Sequence, residues 1–358
     1  MNVINYLKEY GKYSFDEKPF NEVDNLVLSL LAYTNFLGVV SKSPKIKITL
    51  EEAANKYLKM NGTKVNDVLP IQEALEVLIV SKDTKRFKDI LLYNYKYIYS
   101  DDSQFSVLTF ELNKKLVYVS FEGTDKLISG WIEDCKMAYE FPVTAHEYAI
   151  NYLNKYFSFS TKKIIVGGHS KGGNLALVAA LGCKWSIYKR IINIYSNDGQ
   201  GLRKEETYLR RYANLEKKYV HICPYNSIIG LLLEHSMYYI SVDSDRPIGL
   251  SHSAMSWQIE DDHFKAREVS KFSKVLDEGF NSWLNKYDYD TIECFVNNIG
   301  KILDDNNIIT VLDFLENKKL IIDVLKSAKN MDPLVKSMTL DLIKVLYTLN
   351  EETKFLYN

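Results

Sequence analysis

The chain has few cysteines and almost no net charge. Its 358 residues include four cysteines that lie far apart, with no CxxC pair. This spacing argues against a disulfide framework or a zinc site and favours reduced thiols in the cytosol. The formal net charge is −1, whereas a dedicated nucleic-acid-binding protein usually carries a strongly basic face. These absences predict a cytoplasmic protein whose partner is not a nucleic acid.

A signal peptide and a long apolar run are also missing. Residues 1–20 contain no basic start followed by an apolar core, so we expect no secretory signal. The most apolar early segment, residues 25–40, is about 16 residues long and contains Ser29, Thr34 and Asn35, which makes it too short and too polar for a transmembrane segment. With 46% hydrophobic and 25% charged residues, the composition is that of a soluble globular protein.

Hydrophobic patterning divides the chain into three zones. Residues 1–90 show helical periodicity, residues 91–260 alternate short strands with helices, and residues 261–358 are again helical. Strands that alternate with helices pair in parallel through helical crossovers. We therefore predict an α/β fold with a mostly parallel central sheet, a helical N-terminal layer and an all-helical C-terminal extension. Helices are expected within these zones at residues 205–218 and 264–287.

The segment at residues 164–182, IIVGGHSKGGNLALVAALG, carries the clearest chemical signal. Its centre fits the pattern Gly-x-Ser-x-Gly, with a predicted strand before Ser170 and a helix of small residues after it. Glycines two residues either side of the serine permit a turn in which larger side chains would collide. The following helix N-terminus offers N–H groups to a developing oxyanion. The motif predicts Ser170 as a nucleophile; the alternative is a glycine-rich loop that only turns the chain.

Two nucleotide-binding interpretations of the glycines fail. A phosphate-binding loop needs Gly-Lys followed by Ser or Thr, but here Lys171 precedes Gly172. Residues 198–204, DGQGLRK, begin like a dinucleotide fingerprint but have Lys204 where the third glycine belongs. The sequence therefore implies no metal and no organic cofactor.

A serine nucleophile needs a histidine base, which follows the acid in the chain order of this motif. His252 lies in a loop-like segment after the last predicted strand, where a base at the sheet edge is expected. His221 lies inside an apolar strand pattern, and His235 ends the apolar run IIGLLLEH. We therefore predict His252 as the base, and expect His221 to be a core or inter-strand histidine and His235 to pack at a helix end.

The orienting acid has more than one candidate. Asp198 follows a predicted strand and opens the segment DGQG, which brings it to the same sheet edge as Ser170. Asp-Gly is also a common turn pair, so Asp198 could serve the turn alone. Asp243 and Asp245 are the alternatives. We predict Asp198.

The oxyanion hole needs two N–H donors. One is expected from Lys171, the residue after the nucleophile, and the other from Thr124, which follows a predicted strand at 116–121 and a glycine at 123. The Thr124 hydroxyl could add to its amide. The alternative for this segment is an ordinary turn that caps a helix.

Five motifs in order, FEGTD, GGHSKGGNLA, NDGQG, PYNSIIGLLLEH and SHSAMSW, resemble the Mbeg-like family of uncharacterised bacterial lipase-related proteins. That family is similar to the class 3, or fungal-type, lipases. The resemblance covers about residues 20–260. It implies an α/β-hydrolase fold, serine hydrolase chemistry and an ester substrate, with Ser170 as nucleophile, Thr124 beside the oxyanion hole and His252 as base.

Two positions depart from the class 3 pattern. Glu122 stands where those lipases usually have an arginine before Gly-Thr, so whatever that arginine anchors must be held differently. His221 stands at the position of their acid. The prediction that Asp198 is the orienting acid therefore rests on its position in the chain and on the resemblance to the Mbeg-like family.

Together these features predict a cytoplasmic serine esterase of lipase type that acts on a small-molecule or lipid ester through an acyl-enzyme. Residues 1–90 would form the N-terminal layer, 91–260 the catalytic core and 261–358 the extension. No transmembrane segment is expected, and the prediction allows peripheral contact of the protein with a membrane surface. The alternatives are a thioesterase, peptidase or acyltransferase with the same triad, or a catalytically idle scaffold that binds a partner.

Overall fold

A computed structural model describes residues 1–64, 68–100, 103–125, 128–208, 211–215, 217–235, 239–307 and 332–354. The α-helices in these ranges are α1 (Val3–Tyr10), α2 (Glu22–Leu31), α3 (Leu50–Asn61), α4 (Leu69–Ser81), α5 (Ile128–Lys136), α6 (Thr144–Phe157), α7 (Lys171–Gly182), α8 (Trp185–Tyr188), α9 (Lys271–Asn285), α10 (Tyr289–Asp305) and α11 (Pro333–Lys354). The strands are β1 (Ile48–Thr49), β2 (Leu91–Tyr99), β3 (Gln104–Asn113), β4 (Leu116–Phe121), β5 (Lys163–His169), β6 (Ile191–Asn197), β7 (Tyr219–Pro224), β8 (Tyr239–Val242), β9 (Ile259–Glu260) and β10 (His263–Phe264).

Within the described ranges, the central sheet has eight strands that lie side by side in chain order, from β1 to β8. Strands β1 to β4 pair antiparallel, and β4 to β8 pair parallel. The parallel strands are joined through helices such as α6 and α7, as expected for crossovers. Their carboxyl ends therefore meet at one edge of the sheet, and this is where the candidate site lies.

Helices cover both faces of the sheet, and successive residues of a strand point alternately to one face and to the other. On β5, Ile165 joins the core formed with helices α1 to α4, whereas Ile164 and Val166 join the core formed with α6 and α7. This arrangement confirms the predicted α/β-hydrolase type of fold, with its mostly parallel sheet and helical N-terminal layer.

The helix predicted at residues 205–218 does not form. The structure has only short 3₁₀ turns at Lys204–Tyr208 and Tyr212–Asn214, while residues 209, 210 and 216 lie outside the described residues. Arg211 donates a hydrogen bond to the carbonyl of Leu181, at the end of α7. Burial and tertiary hydrogen bonding override a helical propensity that rested mainly on charged residues.

The helix predicted from residue 264 begins at Lys271, capped by the Ser270 hydroxyl, which accepts from the N–H of Ser273. The residues before it are extended. Phe264 pairs with Ile259 in the β9–β10 ladder, and the N–H of Arg267 donates to the carbonyl of Ser241 on β8. Backbone pairing with the sheet therefore delays the helix by about two turns.

Helices α9, α10 and α11 share a small apolar core of their own. Trp283, Ile292, Val296 and Met338 are buried together in it, and the Trp283 indole N–H donates to the carbonyl of Met338 at 2.9 Å. In the part of the chain that the structure describes, no helix is long and apolar enough to cross a membrane.

Candidate active site

Ser170 lies on a sharp turn between β5 and α7. Its backbone has φ 58° and ψ −135°, a conformation that a residue with a side chain rarely adopts. A Cβ placed on Gly168 would lie 2.3 Å from the carbonyl carbon of Gly172, and one on Gly172 would lie 2.2 Å from the carbonyl oxygen of Phe121. Both flanking positions therefore require glycine, and the spacing of the motif is a steric consequence of the turn.

Asp198 and His252 contact each other directly. Asp198 follows β6, is fully buried and also has a positive φ, 52°. Its Oδ2 lies 2.6 Å from Nδ1 of His252, while its Oδ1 accepts from the Ser227 hydroxyl and from the N–H of Gly230 at 3.1 Å. Because an ionised carboxylate can only accept, Nδ1 of His252 is the donor in this contact, and in the neutral imidazole Nε2 then holds the lone pair.

The alternative acids lie elsewhere. Asp243 pairs with Lys265 at 3.0 Å and Arg267 at 2.9 Å near the surface. The N–H of Asp245 donates to the carbonyl of Ser256. Of the three candidate carboxylates, the structure brings only Asp198 to the imidazole of His252. The roles of these residues in a reaction stay a prediction.

The other two candidate histidines pack against each other, with His221 buried and His235 half-buried. The rings of His221 and His235 meet edge to face, with centroids 4.3 Å apart. Burial lowers the pKa of both imidazoles, that of His235 to about 4. Both are therefore neutral near pH 7 and belong to the packing behind the sheet edge.

Ser170 and His252 line one cavity of about 580 Å³. This size is typical of a small-molecule site. Most of the wall is apolar and comes from elements outside the motif: α4, α5, the loop after β7, α9 and α10. The apolar residues among those lining it are Val68, Leu69, Pro70, Trp131, Ala138, Ile229, Leu232, Leu233, Leu250, Phe280, Trp283, Leu284, Ile292, Phe295 and Val296.

Thr124 also lines this cavity, but its hydroxyl is engaged. The Thr124 Oγ1 donates to Asp134 at 2.5 Å. Only the backbone N–H of Thr124 is then left to serve as an oxyanion donor.

Lys171 contributes differently through its backbone and its side chain. Its N–H lies in the first turn of α7, where N–H groups have no acceptor within the helix. Its side chain is almost fully buried and forms an ion pair with Glu133, and its ammonium also donates to the carbonyl of Gln104 at 3.2 Å. This buried pair ties the turn at Ser170 to α5 and β3. The sequence motif gave no sign of it.

Several carboxyl groups near the cavity have raised pKa values. Burial raises the pKa of Asp134 to about 6 and that of Glu73 to about 7. Burial, together with the Asp125 carboxylate, raises the pKa of Glu122 well above its usual range. At Glu122 the chain therefore holds a buried carboxyl group whose charged form is disfavoured.

Two hydrogen bonds that run from Tyr33 through His169 to the backbone of His252 support the loop that carries His252. His169 Nε2 lies 2.9 Å from the carbonyl oxygen of His252, and its Nδ1 lies 3.1 Å from the Tyr33 hydroxyl. Since a carbonyl only accepts, Nε2 donates and Nδ1 accepts from Tyr33. Burial lowers the pKa of His169 to about 3, so this neutral form holds near pH 7.

The residue after His252 is anchored as well. The Ser253 hydroxyl donates to Glu73 on α4, and Ser251 Oγ donates to the carbonyl of Asn226 at 2.9 Å. No pattern in the sequence pointed to Tyr33 or Glu73. Neither belongs to a local motif, because each reaches the site only through tertiary packing. His169, by contrast, could have been found as the residue next to Ser170.

Within the described residues, no group of three or more His, Cys, Asp or Glu side chains could hold a metal ion.

A serine on a positive-φ turn from strand to helix, at the carboxyl edge of a parallel sheet, places this chain among proteins of the α/β-hydrolase fold. The chain belongs to the Mbeg1-like family, whose model matches residues 81–300, which confirms the predicted resemblance. No curated protein matches it. Among solved structures, a fungal lipase in complex with an inhibitor is similar at 15% identity, covering 66% of this chain and 80% of its own, with a TM-score of 0.35.

Proposed function

We propose that the protein is a serine hydrolase that cleaves carboxylic esters, with Ser170 as nucleophile, His252 as base and Asp198 as orienting acid. The observation that carries the proposal is the 2.6 Å contact between the buried Asp198 carboxylate and His252 Nδ1. In the neutral imidazole this contact puts the hydrogen on Nδ1, so that Nε2 can accept a proton, and His252 lines the same cavity as Ser170. A nucleophile, a base and a group that orients the base are the parts that acyl transfer needs.

The reaction proceeds in two halves. Ser170 Oγ attacks the ester carbonyl carbon while His252 Nε2 takes the hydroxyl proton, and the backbone N–H groups of Lys171 and Thr124 stabilise the oxyanion. The C–O bond to the leaving group then breaks, and the imidazolium returns its proton to the departing alkoxide. Water, deprotonated by His252, attacks the acyl-enzyme in the same way. The carboxylic acid leaves and Ser170 regains its proton.

The cavity wall favours an ester with an apolar acyl part, because apolar side chains from four helices surround the approach to Ser170. In this proposal residues 91–260 form the catalytic core, residues 1–90 support it, and residues 261–358 cover the acyl site through α9 and α10. The four cysteines, all within the described residues, are free thiols, which suits the cytoplasm we propose as its location.

Covalent labelling tests the proposal. We expect a fluorophosphonate to label Ser170, and Ser170→Ala to abolish labelling and lower ester turnover by about three to six orders of magnitude with the fold intact. Ser186→Ala, at an exposed serine on α8, is the matched control and should be labelled like the wild type. A wild type that resists the probe under conditions where a known esterase reacts would favour the idle scaffold.

A further inference from the structure

A second cavity, of about 320 Å³, adjoins the active-site cavity. Ala138, Leu233, Leu284 and Ile292 line both of them. These four apolar side chains therefore form a thin wall, called here the inner wall, between the two spaces. Beyond it the second space opens to the surface, and its lining is mostly polar, with Lys204, Glu205 and Asp288 exposed.

Leu233 reaches the inner wall from a strained backbone. Its φ is 64°, in the left-handed region that a leucine rarely occupies. Unusual backbone conformations of this kind persist only where the surrounding structure holds them. In this position the side chain of Leu233 lines both cavities, whereas that of its neighbour Leu232 lines only the active-site cavity.

The residues on either side of Leu233 are fixed. The carbonyl of Leu232 accepts from the N–H of Gly201 at 2.9 Å, and Glu234 exchanges two backbone hydrogen bonds with Leu202, at 2.8 and 3.2 Å. A Cβ on Gly201 would lie 2.3 Å from the carbonyl oxygen of Glu234, so this approach requires glycine. The segment cannot relax without losing these bonds, and Leu233 is thereby held in the inner wall.

We propose that Leu233, together with Leu284 and Ile292, closes one end of the acyl cavity and sets the longest acyl chain that the enzyme accepts. This inference rests on the proposed esterase function. The substrates are then esters of fatty acids whose chain ends at the inner wall. A longer chain would have to displace the wall or leave its end in water, and both lower the apolar area it buries.

The test is a chain-length profile of Leu233→Gly with p-nitrophenyl esters from butyrate to palmitate. Glycine relieves the positive φ and removes the side chain, so the variant should fold. The kcat/KM of each variant on butyrate serves as its own reference, so that only the shape of the chain-length profile is compared. On esters longer than the wild-type optimum, kcat/KM relative to butyrate should rise, by less than about fourfold for each additional methylene, because the polar and open second space buries only part of the added chain. Leu284→Ala opens the wall from α9 and should shift the profile in the same direction.

Leu232→Ala is the matched control. It enlarges the active-site cavity beside the inner wall without opening it, so the longest accepted ester should stay that of the wild type. An unchanged profile in both Leu233→Gly and Leu284→Ala, with hydrolysis of butyrate intact, would refute the wall and leave the proposed function standing.

Binding of free fatty acids from octanoate to stearate, measured by calorimetry, makes the same comparison without turnover. A gain of affinity for the longer acids in Leu233→Gly relative to the wild type would support the inner wall even if the chain hydrolysed no ester. Equal affinities in the wild type and Leu233→Gly would contradict it. Failure of the proposed function would show separately, as an absence of fluorophosphonate labelling in the wild type.

Discussion

Replacing Asp198 by asparagine tests the triad most directly, because it removes a charge and keeps the shape. Oδ1 of Asp198 accepts from Ser227 and Gly230, and an asparagine Oδ1 can do the same. The other oxygen, which now faces His252 Nδ1 at 2.6 Å, becomes an NH₂ group. That group can only donate, so Nδ1 of His252 must lose its hydrogen and accept instead.

The consequence for catalysis is large. With the proton moved to Nε2, the neutral imidazole presents an N–H to Ser170 and cannot take its proton. We expect turnover of Asp198→Asn to fall by about four orders of magnitude near neutral pH, which corresponds to about 5 kcal/mol of transition-state stabilisation. Folding should suffer much less, because the two acceptor contacts of Oδ1 survive.

The assay is ester turnover of Asp198→Asn beside Asp243→Asn. Asp243 pairs with Lys265 and Arg267, whose side chains are about half exposed, and ion pairs of that kind contribute about 0–1 kcal/mol. Turnover of Asp243→Asn should therefore stay near that of the wild type. Near-normal turnover of a folded Asp198→Asn variant would refute the reasoning, and collapse of Asp243→Asn would move the acid there.

Two further outcomes are expected. Tyr33→Phe leaves Nδ1 of His169 without its donor. It should lower kcat by about fivefold, with KM little changed, since a lost hydrogen bond in a positioning contact is worth about 1 kcal/mol. An unchanged kcat would show that His169 does not position His252. Burial lowers the pKa of His146 to about 4, and its Nδ1 accepts from the N–H of Val143. As pH falls, the His146 imidazole of the unfolded chain takes up its proton before that of the folded chain does. The free energy of unfolding therefore decreases as pH falls from about 6.5 towards 4, and His146 accounts for a loss of about 2 kcal/mol at pH 5. Urea unfolding of the wild type and His146→Gln at pH 7 and 5 should show a smaller loss in the variant, and equal losses would contradict the assignment.

The backbone around Ser170 could be predicted because its causes are local. Gly168 and Gly172 flank the serine within one turn, and the collisions that exclude other residues there involve the adjacent strand and helix. The contact between Asp198 and His252 could also be predicted, since each follows a recognisable strand or loop pattern and the order along the chain fixes which one comes first.

The contacts that hold Ser170 and His252 in place could not be predicted, because they join residues that are far apart in the sequence. Tyr33 and His169 are 136 residues apart, and the partner of Lys171 is Glu133 on a different helix. Such pairs depend on how α2 and α5 pack against the sheet. The helix expected at residues 205–218 failed for the same reason, because tertiary contacts outweighed a local helical propensity.

No sequence motif predicts which residues would limit the length of the acyl chain. The run Leu231-Leu232-Leu233 offers three identical side chains, and nothing in the sequence separates them. In the structure Leu231 packs with Cys223 and Val269, Leu232 lines the active-site cavity, and only Leu233 lines both cavities. The difference comes from one positive φ held by backbone bonds to Gly201 and Leu202. Substitutions in this loop should therefore change the accepted acyl chain while leaving Ser170, His252 and Asp198 in place.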